Sequence, residues 1–351
     1  MSNYIFHYTK FAGLNGILSS KSLWATNALK SKDSAEIKLG FRFLCENFLK
    51  GVKIEVINQF IKEVYLENKK NIKERKKPLS IFSKPGISEE QKSIANVLDV
   101  YWGLIDSECP DTFIRLVGIS CFFSVECFNE EDKARDKEFF ENNGTLPQWR
   151  HYGQYALKFN KKIILDYIQE YNTKYNGKVS SEQPEGLFFG GDVEYFYEHE
   201  AERFENNTRL KETMKLFKTK ELRVIANKLF KSKKFLEEDF QLLSRFFSDF
   251  ATCCFLAKHR SYKDEHEFRI INVVLNEKVK DARAVSNDYV ELFKESGVIE
   301  EALEEIIITP IASDLSKSSE EEKREIEEIL KNSGFKNVKV KISQIPVNNN
   351  R

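Results

Sequence analysis

Two runs decide what this chain can become: "FIRLVGISCFFS" at 113–124 and "EFRIINVVL" at 267–275. β-branched and aromatic residues crowd both, so each reads as a strand, the first of them largely buried. Shorter candidates join them at 4–8, at "SLWATN" (22–27), and where Tyr155, Leu157 and Phe159 alternate in "WRHYGQYALKF". "LEEIIITPI" and the closing "VKVKISQI" complete the set, the latter with Val338, Val340 and Ile342 facing inward. In "GLFFGGDVEYFY" the pair Gly190–Gly191 predicts a turn or bulge.

Helical spacing alternates with these strands. Thr9 is placed to cap a helix carrying Leu14, Ile17 and Leu18, and Ser319 with Glu322 forms a capping box for a helix to about Lys331. Leu49, Val52, Val56, Phe60 and Val64 predict a helix over 46–70, ending in the solvated run "KKNIKERKK". Two further stripes lie in 208–258. The polar stretch "NEEDKARDKEFFENNGTLPQ" reads as a loop. With neither a repeat period nor a Gly/Ser linker, the expectation is one elaborated α+β domain over 1–351, with helical insertions at about 46–110 and 200–256.

Charge narrows the function. Fifty-five basic residues balance 55 acidic ones, so no global field draws the chain to polyanions, and any such site must be local. The basic tract 215–234, interleaved with Leu, Phe and Ile, is the candidate for touching nucleic acid, although such a tract is more often a solvated helix face. No apolar run approaches the roughly 20 residues of a membrane helix, and the start lacks the pattern of a signal peptide, so a cytoplasmic protein is expected. The six cysteines form no C-x-x-C pair, and "HEAER" at 199–203 lacks the second histidine of a zinc helix, so no metal site is expected.

The chemistry-bearing candidate is "YKDEHEFRII" at 262–271. In a strand, Glu265, Glu267 and Arg269 alternate with period two and share one face; in a helix, Glu265 and Arg269 form only an i,i+4 ion pair. Paired carboxylates suit cleavage of an N-glycosidic bond. One stabilises positive charge developing on the sugar, and the other orients or deprotonates the acceptor. Arg269 either contacts a phosphate or holds Glu267 ionised. His7, at the end of the first strand, reads as a donor to a ribose hydroxyl or as a locally satisfied polar residue. Tyr8 reads as core and Thr9 as a cap.

In order along the chain, "FHYTKFAGLNGILSSKSLWATN", "KDSAE", "CFFS", "WRHYG", "GDVEY", "YKDEHEFRI" and "VKVKISQI" resemble a widespread bacterial family of unknown function. That family opens with His-Tyr-Thr, has Trp-x-x-Tyr in mid-chain and ends near E-x-E-x-R. Lys32 and Ala156 depart from it, standing where Asn and Gly are usual. More distantly, it is similar to ADP-ribosyltransferases of the His-Tyr-Glu type. The resemblance implies a split β-sheet core with NAD as cofactor. It implies Glu267 as the catalytic glutamate, Glu265 at the acceptor-selecting position, and His7, Tyr8, Thr9, Trp149, Tyr152 and Arg269 in the nucleotide site. The activity it implies is ADP-ribosyl transfer to a protein or nucleic acid, as in a bacterial toxin or phage-defence effector. The alternatives are plain NAD hydrolysis, a catalytically silent nucleotide- or nucleic-acid-binding module, and an interaction subunit. On this reading Glu267→Gln removes cleavage and leaves the fold almost untouched.

Overall fold

The computed structural model describes residues 3–27, 117–124, 130–175, 187–196, 255–273, 289–309 and 318–345. The expected helix over 46–70, the insertion at about 46–110, that at about 200–256 up to residue 254, Lys32 and the basic tract 215–234 lie outside them. Within them the chain is a mixed α+β structure built on a sheet of nine strands.

β1 (Tyr4–Thr9) pairs antiparallel with β4 (Tyr155–Asn160) along its whole length, from Tyr4 opposite Asn160 to Thr9 opposite Tyr155. β4 pairs with β10 (Leu303–Ile308), and β10 runs parallel to the edge strand β11 (Lys339–Ile342). β3 (Val117–Phe123) is the centre. One of its edges is covered from end to end by β8 (Glu267–Val273), which passes on to β5 (Leu187–Asp192).

The other edge of β3 is shared. Phe6 of β1 sits opposite Phe123, whereas Thr26 and Asn27 of β2 (Leu23–Asn27) sit opposite Ile119 and Gly118. β2 then continues to β9 (Tyr289–Leu292). Two arms of the sheet therefore diverge from one strand, and Ser120–Phe122 lie in the gap with no ladder partner on that edge among the described strands. α1 (Phe11–Ser20) connects the two arms.

The alternation read from the sequence explains the layers. Ile5, Leu157, Phe159, Ile306, Phe122 and Phe268 form one large core with Leu14, Ile17 and Leu18 of α1. α4 (Lys161–Tyr175) adds Ile164 and Ile168 to it, the short α5 (Val298–Ala302) adds Val298 and Ile299, and α6 (Ser319–Asn332) adds Ile326 and Leu330. Side chains of this size, fully buried, contribute roughly 1.5–3 kcal/mol each. Phe6, Tyr8, Phe123, Ala156, Ile307 and Trp149 make a smaller second core.

Several local expectations change. The polar stretch is helical, as α2 (Glu130–Asn143) and α3 (Leu146–Tyr152), because Glu, Lys, Ala and Arg favour a helix even without an apolar stripe. Thr9 is the last residue of β1; the helix N-cap is Lys10, which makes no side-chain cap. Gly190 and Gly191 lie inside β5. A Cβ there would stand 2.7 Å from Leu165 and 2.6 Å from Leu256, so they serve close packing instead of a turn.

The capping box of α6 is one residue earlier than expected. "SSEEE" offers two registers; Ser318 accepts from the Glu321 N–H, and the Glu321 carboxylate accepts from the Ser318 N–H at 2.8 Å. Glu322 is instead buried, accepting the Tyr155 hydroxyl. Ser318→Ala is expected to cost about 1 kcal/mol, read as a lowered melting temperature, while Ser319→Ala leaves the melt nearly unchanged. No helix among the described residues is long and apolar enough to cross a membrane.

Candidate functional site

Where the arms of the sheet part, a cleft of about 220 Å³ opens. His7, Tyr152, Glu265 and Glu267 all line it, and the central strand contributes Ser120 and Cys121.

His7 belongs to the same side of β1 as Ile5, and its ring leans into the gap 5.5 Å from that of Phe122. Its Nδ1 lies 3.0 Å from the Cys121 carbonyl oxygen. A carbonyl can only accept, so Nδ1 carries the proton. Burial holds the His7 pKa below its ordinary value, which leaves the ring neutral at pH 7. Nε2 therefore presents a lone pair. The ring is an acceptor toward anything in the cleft, opposite in polarity to the donor role read from the sequence.

The carboxylates arrive by a different route from strict alternation. Glu267 and Arg269 are in β8 and share a face, but Glu265 ends a 3-10 turn, Arg260–Glu265, and His266 between them takes a left-handed conformation at φ 45°. Glu267 is only 4% exposed. Arg269 grips it with both prongs, Nε to Oε1 at 2.8 Å and Nη2 to Oε2 at 3.0 Å, and Lys258 Nζ donates to Oε2 at 3.2 Å. Burial pushes the Glu267 pKa up, but the charges of Arg269 and Lys258 and a hydrogen bond from the Cys121 thiol outweigh it and bring the value to about 2. Arg269 is itself buried, spends Nη1 on the Phe255 carbonyl at 2.6 Å, and does not line the cleft. Of the two roles read for it, holding Glu267 ionised is the one its contacts fill.

Glu265 accepts from Lys258 Nζ at 2.8 Å and from the Tyr152 hydroxyl at 3.3 Å, while Gln148 Nε2 donates to its backbone carbonyl at 3.0 Å. Burial and then the Glu265 charge raise the Tyr152 pKa, so the phenol stays a donor. Cys121 opens onto the cleft, yet desolvation by its walls and the charge of Glu267 raise its pKa well above the ordinary value. It is a protonated thiol, not a nucleophile.

The remaining sequence candidates separate. Tyr8 touches the cleft but is mainly core, its hydroxyl accepting from the Thr145 N–H at 2.9 Å. Trp149 is 5% exposed, packs edge-on against Tyr8 at 4.9 Å and donates Nε1 to the Asn143 carbonyl; it does not line the cleft. Trp149 and Tyr152 lie within one turn of α3, yet only Tyr152 lines the cleft, while Trp149 packs against Tyr8. Thr9 is likewise outside the lining.

Sequence reasoning missed Lys258, the cation shared by both glutamates. It comes from β7 (Ala257–His259), which pairs with β6 (Glu194–Phe196), and only the 3-10 turn folds it back onto residues seven and nine positions later. It also missed Trp24, which lines the cleft and stacks on Tyr289 at 4.6 Å. Trp24 Nε1 and Ser120 Oγ are buried without a hydrogen-bond partner in the described protein. The cleft thus offers acceptors at His7 Nε2 and the glutamates. Acceptors of that kind suit a polyhydroxylated ligand. Among the described residues no group of three or more His, Cys, Asp or Glu side chains could hold a metal ion.

No curated protein and no solved structure matches the chain. A protein-family model described as "Protein of unknown function (DUF2971)" matches residues 148–270, a span that holds Tyr152, Lys258, Glu265, Glu267 and Arg269 and is consistent with an uncharacterised domain family.

Proposed function

We propose that the chain is an NAD-dependent ADP-ribosyltransferase-like enzyme acting on a protein or nucleic-acid acceptor, with water as the alternative acceptor. The observation that carries this reading is the convergence of His7 and Glu267, 260 positions apart, in one cleft together with Glu265 and Tyr152. Two carboxylates facing a sugar suit cleavage of an N-glycosidic bond.

The residues present fit the dinucleotide's ribose. NAD supplies the scissile N-glycosidic bond and nicotinamide as leaving group. His7 Nε2 accepts from a ribose hydroxyl, and its Nδ1 bond to Cys121 fixes the tautomer that makes this possible. Glu267, ionised throughout the physiological range, places negative charge where positive charge develops. Three N–H donors and the Cys121 thiol bond its oxygens, and the weak S–H is the one that a ribose hydroxyl displaces. Glu265, more open at 26% side-chain exposure, is positioned to take a proton from the acceptor.

One observation favours a second reading, a silent nucleotide-binding module. Arg269 and Lys258 balance the charges of Glu265 and Glu267 and leave the pair electrically quiet. Purified protein mixed with NAD and followed chromatographically for nicotinamide decides between them. Release above the protein-free control is expected; NAD binding with no release under any acceptor tried would establish the silent module.

A further inference from the structure

We infer that Lys258 is a positioning residue whose charge keeps Glu265 and Glu267 ionised together at the mouth of one cleft. The inference rests on the catalytic reading above for its kinetic consequence and on geometry alone for its electrostatic one. Lys258 Nζ lies 2.8 Å from Glu265 Oε2 and 3.2 Å from Glu267 Oε2, so the two carboxylate oxygens are within about 6 Å of each other. Two carboxylates that close repel, and without a cation between them the pair binds a proton at a higher pH.

Lys258 is the group that spans them. Arg269 grips Glu267 with two prongs and commits its Nη1 to the Phe255 carbonyl. The lysine is 4% exposed, its ammonium lies 4.9 Å from the centre of the Tyr262 ring, and its backbone is pinned opposite Tyr195 in the β6–β7 pair. The Tyr195 hydroxyl accepts from the Glu267 N–H at 2.8 Å, so the two-stranded β6–β7 unit grips the cation and the glutamate backbone at once. The other ionisable groups facing the cluster are Cys121 on β3, Tyr152 on α3 and His7 on β1, and the first two are held protonated.

The consequence is specific. A structural lysine would change stability; this one sets the pH at which the carboxylate pair takes up a proton. Lys258→Gln keeps a hydrogen-bond donor between the glutamates and removes the charge, and Lys258→Arg keeps the charge. Side-chain ¹³C resonances of glutamate-labelled protein are followed from about pH 2 to 8 in the full chain for wild type and both variants, with thermal melts alongside. The expected result is a proton uptake by Glu267 in Lys258→Gln that lies about one to three pH units above that of wild type, with Lys258→Arg restoring the wild-type curve. In the nicotinamide-release assay the acid limb of kcat in Lys258→Gln moves up by the same interval, while KM for NAD changes little. Coincident ¹³C titrations of wild type and Lys258→Gln would overturn the inference, as would failure of Lys258→Arg to restore the curve in a folded protein. If wild type releases no nicotinamide, the catalytic reading falls, and the ¹³C titration still decides the role of Lys258.

Discussion

Glu267→Gln is expected to abolish nicotinamide release and also to lower stability by about 3 kcal/mol at pH 7, a double effect that the sequence alone does not foresee. An amide keeps the size of the carboxylate, but its NH₂ must face the N–H groups of Arg269 or Lys258, and one negative charge is taken from between two buried cations. The size of the loss also follows from protonation. The Glu267 pKa is depressed from 4.5 to about 2, so its contribution, about 3 kcal/mol, is complete above pH 4.5 and is lost as pH falls toward 2. Urea denaturation as a function of pH should show wild type losing stability through that window and the variant running flatter. The rate loss, about 3 kcal/mol or more in activation free energy, is to be read at a temperature where both proteins are folded. A Glu267→Gln protein that melts with wild type at pH 7 would contradict the bidentate clamp; one that still releases nicotinamide at the wild-type rate would remove Glu267 from the chemistry.

A comparable loss is expected for Gly153→Ala, in a residue with no chemistry of its own. Gly153 ends α3 with φ 138°, and a Cβ there would stand 2.3 Å from the Thr9 carbonyl oxygen, 2.4 Å from its carbon and 2.7 Å from the Lys10 nitrogen. These are backbone atoms and cannot rotate away. The strand end that holds His7 would have to move, at a cost of about 3 kcal/mol or more together with a loss of activity. Gly297→Ala is the control. It also has positive φ, 75°, but nothing within 4 Å of the added carbon, and it should cost about 1–2 kcal/mol with activity retained. Denaturant midpoints of the two variants check this; equal losses would mean that the contact with Thr9 yields.

How far the sequence could be read differs by element for physical reasons. The strands were legible wherever β-branched residues cluster or apolar residues alternate, as in β3, β4, β8 and β10, because burial on a pleated surface imposes that pattern. α1 was legible from Leu14, Ile17 and Leu18, but α2 was not, having no apolar stripe to announce it. α4 carried no expectation because strand and helix abut at Asn160–Lys161 without a breaker; Asn160 Oδ1 caps the helix by accepting from the Lys162 and Ile163 N–H groups. In the site, Glu267 and Arg269 share a face as period two requires, whereas Glu265 reaches it through a turn and a left-handed residue that spacing cannot reveal. Trp149 illustrates the opposite error: its motif partner Tyr152 faces the cleft, whereas packing on Tyr8 and the bond to the Asn143 carbonyl hold the tryptophan in the core.

The bond from His7 to position 121 has a consequence for how the gene can vary. The ring addresses a main-chain oxygen, and every amino acid supplies that oxygen. The histidine's tautomer therefore survives any replacement of Cys121 that leaves the strand in place. A mutational scan should find position 7 intolerant and position 121 permissive with respect to this contact, although the two residues touch. A coupling written in backbone leaves no paired substitutions for a sequence comparison to detect.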